Sequence, residues 1–201
     1  MKEYIIKKIT EKTLSPEHPG WEQVEALQVD CFPWKGYFEG IHTQVQLVYS
    51  DYGVTVRFIT DERPLVSTKV EDNDYVCLDS CMEFFFRPEG EDRYMNFEMN
   101  PLGTVYSGFG AIGEREKIKL EKEKFLINSC IRPNQWVFHI TIPWEFWSQY
   151  YGQCPERSFL ANFYKCGNET GHQHYACWNP LLIEKPNFHR PDFFGRLLLE
   201  K

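Results

Sequence analysis

Between residues 42 and 167, apolar and polar side chains alternate singly in one short stretch after another, the period-2 pattern of strands with one buried face. HTQVQLVYS (42–50) and VTVRFIT (54–60) flank the turn signal DYG and predict a hairpin. CLDSCMEFFFRP (77–88) ends in the turn EGED, RYMNFEMNPLG (93–103) follows, and TVYSGF comes next. NQWVFHITIPWEFW (134–147), SFLANFYKCG (158–167) and the closing RLLLE complete the series, with a short helical turn at PWEFWSQYYG. The first residues read as irregular, HPGWEQVEALQVDCFPW as either a short helix or an extended edge segment, and GEREKIKLEKEK as a solvated stretch. Short strands separated by turns, without repeats or a linker, predict an all-β chain. The expected form is a two-sheet antiparallel β-sandwich with immunoglobulin- or jelly-roll-like layering and short helical turns, in a single domain over residues 1–201.

Alternation also sorts the side chains into faces. Met82, Phe84 and Phe86 point one way, and Cys81, Glu83 and Phe85 the other. Met95, Phe97 and Met99 oppose Asn96, Glu98 and Asn100, and Trp136, Phe138, Ile140 and Ile142 oppose His139 and Thr141. Ala161 and Phe163 oppose Asn162 and Tyr164, while Val54, Val56 and Phe58 oppose Thr55 and Arg57. The polar set is rich in amides, fixed-geometry donors and short acceptors rather than the Lys, Glu, Thr and Ser of a solvated sheet. If the strands are neighbours, Arg57, Glu83, Asn96, Glu98, Asn100, His139, Thr141, Asn162 and Tyr164 form one polar face.

The stretch HYACWNPLLIEKPNFHRPDFFG (174–195) is far longer than the usual connection of about 4–6 residues and too aromatic for disorder. It is expected to fold over one end of the polar face, clasped by Phe188, Phe193 and Phe194 and turned at Gly195, presenting Trp178 and Arg190. Trp178 fits two settings, a core indole or a ring at a cleft mouth. Glu83, among apolar neighbours, needs a partner; a salt bridge to Arg57 or Arg190 and a ligand-accepting role both supply one.

Composition narrows the function. Aromatic residues make up 16% of the chain, and the formal charge is −7 with no run of Lys or Arg to track phosphates, which argues against nucleic acid. No stretch approaches the roughly 18 apolar residues of a membrane span, and the start carries no leader-like apolar run. A cytoplasmic protein is expected as the sequence stands, or an exported one if a leader preceded it. Seven cysteines at irregular spacing do not form a disulfide framework, so free thiols are expected. Cys77 and Cys81, four apart, are expected on one strand face as inert thiols.

LDSCMEFFFRP, YMNFEMNPLGTVYSGFG, ANFYKCG and the C-terminal HYACWNP…PNFHRPDFFGRLLLE together resemble the carbohydrate-binding module family 9-like proteins, within the wider DOMON-like β-sandwiches. The likeness covers roughly residues 34–200. It implies a sandwich that binds sugar ends between aromatic rings, with carboxylate, arginine and asparagine groups reading the hydroxyls. Carried over by motif, Trp178 is a stacking ring, Glu83 the acidic hydrogen-bonding group, and Asn96, Glu98 and Asn100 lie on the ligand-bearing strand. Where the family's sugar binders carry an arginine on that strand, this chain has Asn96 and Glu98. Trp34 and Tyr75 are the candidates for a second stacking ring. Calcium is a further candidate, through TDE (60–62) and EDND (71–74), although their spacing fits no standard loop.

The reading that results is carbohydrate binding without catalysis. Two rivals stand beside it. Glu83 and Glu98 are candidates for an acid–base pair acting on a sugar derivative, which a raised pKa in a closed pocket would favour. Some DOMON-like relatives hold haem through Met and His, but Met95 and Met99 fall on the apolar face here. A zinc set from His172, His174, His189, Cys166 and Cys177 matches no standard spacing.

Overall fold

The computed structural model describes residues Met1–Lys201. In chain order the strands are β1 (Glu3–Lys8), β2 (Leu27–Gln28), β3 (Thr43–Tyr49), β4 (Gly53–Thr60), β5 (Cys81–Arg87), β6 (Tyr94–Met99) and β7 (Val105–Ala111). They continue with β8 (Glu114–Lys117), β9 (Asn128–Arg132), β10 (Gln135–Pro143), β11 (Ser158–Gly167), β12 (His174–Cys177) and β13 (Gly195–Leu199). The single α-helix, α1 (Trp144–Tyr151), ends where Gly152 turns left-handed at φ +78° and donates its N–H to Ser148 O.

The strands follow one hydrogen-bonded path, β8-β7-β6-β5-β11-β13-β1-β3-β4-β10-β9, with β12 added to β11 and β2 to β3. The chain is all-β, but the expectation of two separate antiparallel sheets is not met. β1 joins the two halves, pairing in parallel with β13 through Glu3–Ile6 and in parallel with β3 through Lys7 and Lys8. The result is one curled, mixed sheet. The N-terminus, read as irregular, supplies this hinge strand. Only Tyr4 and Ile6 of β1 are buried, too few positions for a period to stand out.

The inward faces of the two halves meet in a core. Phe58 of β4 touches Phe163 of β11 edge-on at 5.9 Å, and Phe163 stacks on Phe84 of β5 at 5.0 Å. Phe86 stacks on Trp147 of α1 at 4.6 Å, which seats the helix over the core. Fully burying one such ring contributes about 1.5–3 kcal/mol. A second apolar cluster lies on the outer face of β5, β6 and β11, where Phe85, Tyr94 and Tyr164 are covered by Trp34, Leu181, Phe188 and Phe194. β5 is thus buried on both faces, which is why CMEFFF is almost continuously apolar.

The polar positions divide between two outward faces with the core between them. Alternation tells a side chain's orientation relative to its own sheet and not which half that sheet belongs to. Arg57 and His139 lie outside β4 and β10, under the segment 13–24. Arg57 Nη1 donates to Gln46 Oε1 at 2.7 Å and its guanidinium lies 5.5 Å from the Trp21 ring. His139 Nε2 is 2.7 Å from Leu14 O, and Thr13, Thr55 and Thr141 share hydroxyl contacts. Burial holds the imidazole below its ordinary pKa, in its neutral form.

Candidate functional site

The outer face of β5, β6 and β11 carries a row of directly opposed side chains. Tyr164 of β11 pairs with Glu83 of β5, Glu83 with Glu98 of β6, and Glu98 with Tyr106 of β7. Two carboxylates therefore face each other across neighbouring strands, with Cβ atoms about 4.5–5.5 Å apart by strand geometry. Both are nearly out of solvent, Glu83 at 3% and Glu98 at 6% exposure.

Two such groups cannot both ionise cheaply. Burial, and then the charge of Glu98, pushes Glu83 well above the carboxylate range, with the Cys166 thiol and the Lys165 ammonium working against the rise. Burial pushes Glu98 up to about 7, opposed by the Arg115 guanidinium and by Asn96. Cys166 Sγ donates to Glu83 Oε1 at 3.0 Å, and Asn96 Nδ2 donates to Glu98 Oε1 at 2.9 Å. Both carboxyls are thus drawn toward their protonated, hydrogen-bond-donating forms, Glu98 with a pKa of about 7.

Arg115 is the residue that sequence reasoning missed. GEREK, read as solvated, forms β8 and pairs with β7 so that Arg115 opposes Gly110. The guanidinium lies over the Tyr94 ring at 3.9 Å, and Nη1 donates to Tyr94 O and Gly110 O. Its Nη2 and Asn96 Oδ1 are both buried without a partner, and both converge on Gly108, where an added Cβ would meet them at 2.9 and 2.8 Å. β8 thus brings a guanidinium beside Tyr94 and Asn96 of β6. The signal lay in GFGAIGERE: Gly113, at φ +84°, closes a two-residue hairpin turn that extends the sheet by one strand.

Glu83 and Glu98 floor an open recess of ≈ 240 Å³ together with Cys77, Cys166 and Asn168. Its wall is Trp34, Tyr175, Pro186, Asn187, Phe188 and His189. Trp34 meets Tyr175 edge-on at 5.8 Å and is fixed by its indole N–H donating to Ile183 O at 2.9 Å. His189 lies 2.8 Å through Nδ1 from Tyr94 Oη, and burial with the nearby Arg115 holds it neutral, down at about 4. Beyond Glu98 the row ends at Tyr106. The Lys117 ammonium lies 5.1 Å from the exposed Tyr75 ring and 5.5 Å from the Tyr106 ring, which brings these two tyrosines near each other on the Glu98 side of the row.

The other expected site residues fall elsewhere. Trp178 is 3% exposed and packs in the main core, edge-on to Phe163 at 5.8 Å. Alternation along β12 turns Ala176 and Trp178 inward and Tyr175 and Cys177 outward, so Tyr175 reaches the recess and the indole does not. A Cβ on Gly195 would come within 2.4 Å of Trp178 Cζ3, so the glycine makes room for that ring. Asn162 holds the loop: Nδ2 donates to Asn179 O, and Oδ1 accepts from Asn179 N. Tyr164 stacks under Phe188 at 4.2 Å and donates to its carbonyl. Asn100 ties the 100–104 turn to Asp79 and Lys69. Arg190 pairs with Asp192 at 2.5 Å, away from the recess wall.

The candidate metal sets also separate. Glu62 is buried against Lys165 at 2.7 Å, Asp61 engages His42, Asp72 engages Lys122, and Asp74 caps Tyr75 N. His174 lies 3.0 Å from Lys165 Nζ, His172 stacks on Phe38, and His189 is at the recess. Cys77 sits in a 3₁₀ turn before β5 rather than on the strand with Cys81. Met95 and Met99 are buried in the core. No helix is long and apolar enough to cross a membrane.

Comparison with known proteins places the chain among carbohydrate-binding modules of one family. The family profile described as carbohydrate-binding family 9 matches residues 15–199. A Bacteroides uniformis protein provisionally assigned to carbohydrate binding is similar over 99% of both chains, with 27% identity and a TM-score of 0.89. A family 9 carbohydrate-binding module from Caldicellulosiruptor kristjanssonii shares the fold in its glucose complex, at 11% identity and TM-score 0.66, over 99% of this chain and 96% of that one. A second such complex, with cellotriose, superposes at 10% identity and TM-score 0.67, over 99% of this chain and 94% of that one. No curated protein matches the chain.

Proposed function

Since the chain belongs to carbohydrate-binding family 9, we propose that it binds a single sugar ring, or the end of a sugar chain, in the recess floored by Glu83 and Glu98. The observation that carries this reading is the opposed carboxylate pair at the base of an aromatic-walled recess. Recognition sites combine apolar walls with a few convergent polar groups, and ≈ 240 Å³ lies below the range of about 300–1,000 Å³ for drug-sized ligands, which suits one ring. The protonated Glu83 donates to a hydroxyl oxygen, and the Glu98 carboxylate accepts from a hydroxyl. Asn96 holds Glu98 in place, and Arg115 favours its charged form. Trp34 and Tyr175 on one side and Tyr75 and Tyr106 on the other offer faces and edges to the C–H surfaces of a pyranose. Binding leaves the sugar unchanged.

Calorimetric titration with glucose and cellotriose, preceded by a thermal-shift screen of common mono- and oligosaccharides, tests the reading. Saturable binding by the wild type, weakened at least tenfold in Glu98→Gln, is expected. No response to any sugar, or equal binding by Glu98→Gln and Glu83→Gln, would overturn it.

The raised pKa values of both carboxyls favour a second reading, acid–base catalysis on a glycoside. Against it, both groups rise from one floor on adjacent strands, whereas glycosidase carboxyls flank the scissile bond. Release of nitrophenol from nitrophenyl glycosides, lost in Glu98→Gln, would establish catalysis.

A further inference from the structure

The wall of the recess is held by two segments distant in sequence, and where they meet two cysteines stand opposite each other. Cys31 and Cys177 form an isolated antiparallel bridge. Cys31 N donates to Cys177 O at 3.1 Å, and Cys177 N donates to Cys31 O at 2.9 Å. A pair that exchanges both backbone bonds has its Cα atoms about 5.5 Å apart with side chains on the same side. Disulfides span Cα separations of about 4.4–6.8 Å. The Cα separation of such a pair thus falls within the range a disulfide spans, and both thiols are free in this structure.

The two thiols are unequal in the way that exchange requires. Cys31 is partly exposed, whereas Cys177 is buried. The Cys177 thiol, which donates to Cys31 O at 3.5 Å, lies beside the Cys31 thiol and pulls it down to about 7, against burial, while the same proximity and burial push Cys177 up. Cys31 is thus the accessible, nucleophilic member, and Cys177 is the resolving one behind it.

We propose that Cys31 and Cys177 form a reversible disulfide by exchange with an oxidised low-molecular-weight disulfide, stapling the recess wall. The Cys31 thiolate attacks one sulfur of the small disulfide, forming a mixed disulfide and expelling one thiolate. Cys177 then loses its proton and attacks Cys31 Sγ, forming the protein disulfide and expelling the second small thiol. Two protein thiols are oxidised and one small disulfide is reduced to two thiols. Trp34 follows Cys31 by three residues and Tyr175 precedes Cys177 by two, and their rings touch at 5.8 Å. The staple therefore fixes the two aromatic groups of the wall relative to one another.

Cys81 and Cys166 are also opposed, across β5 and β11, but both are buried, and burial keeps the Cys81 thiol up at about 12. They serve as the internal control. The full-length reduced protein is incubated with glutathione disulfide at pH 7.5, quenched with acid, and mapped by non-reducing peptide mass spectrometry. The expected result is loss of two of the seven thiols and a peptide linking Cys31 to Cys177, reversed by dithiothreitol. Cys177→Ser is expected to stop at glutathionylated Cys31, and Cys31→Ser to retain all its thiols. Seven thiols left in the wild type, or a linkage of Cys81 to Cys166 in place of the Cys31 pair, would overturn the proposal. The map of the wild type decides the matter even if a variant fails to fold.

Discussion

Raising the pH from 4.5 to 7 should remove stability from this fold through Glu98. In an unfolded chain this carboxyl titrates near its ordinary value of 4.5, whereas in the folded protein burial moves it to about 7. Between those values the folded state holds a proton that the unfolded state has released. Stability therefore falls as pH rises across that window. It is fully present below about 4.5 and lost by the time the pH has passed about 7. One pKa unit is worth about 1.36 kcal/mol, so the interval accounts for about 3 kcal/mol from Glu98. Glu83, raised by burial and then by the charge of Glu98, adds to the loss in the same direction. Urea unfolding at half-unit pH steps, on wild type and Glu98→Gln, measures the effect as the change in their stability difference. The wild type should lose about 3 kcal/mol relative to the variant between pH 4.5 and 7. Parallel curves, with a difference that stays constant to within about 0.5 kcal/mol, would refute the reasoning, since Glu98 would then titrate alike in both states.

Two further perturbations separate structural from ligand-facing roles. Trp178→Ala should cost about 3–5 kcal/mol of stability by opening a cavity in the core, read as a fall in thermal melting temperature, while the folded fraction binds sugar as the wild type does. Lys165→Met should cost about 3–5 kcal/mol in urea unfolding because it leaves Glu62 buried without its 2.7 Å partner, and adding Glu62→Leu should recover a large part of that loss.

The strands were legible because their periods are local. Val54, Val56 and Phe58, and Phe84 and Phe86, announce their inward faces from sequence alone, and the opposition of Glu83 to Phe84 and of Asn96 to Phe97 follows from the same alternation. The partnership of those strands is not local. Arg57 and Glu83 have the same outward sense on different halves of the sheet, so the expected single polar face divided in two. β1 was hidden because only Tyr4 and Ile6 of it are buried, and its parallel pairing depends on contacts with the far end of the chain. Trp178 fits either a core or a cleft-mouth setting by residue type alone, and the alternation that begins at His174 turns it into the core. Arg115 sat in a charged stretch whose composition resembles a solvated loop; only the glycine turn before it marks the strand that carries the guanidinium over Tyr94.

The central claim is that a sugar sits on the Glu83–Glu98 pair. A crystal structure of the protein soaked with cellotriose tests it most directly. The terminal ring should occupy the recess between Trp34 and Tyr106, with hydroxyls within hydrogen-bonding distance of the Glu83 and Glu98 carboxyls. Density for the sugar beside Arg57 and His139 on the other half, or at Arg190, with the recess free of sugar, would contradict the account.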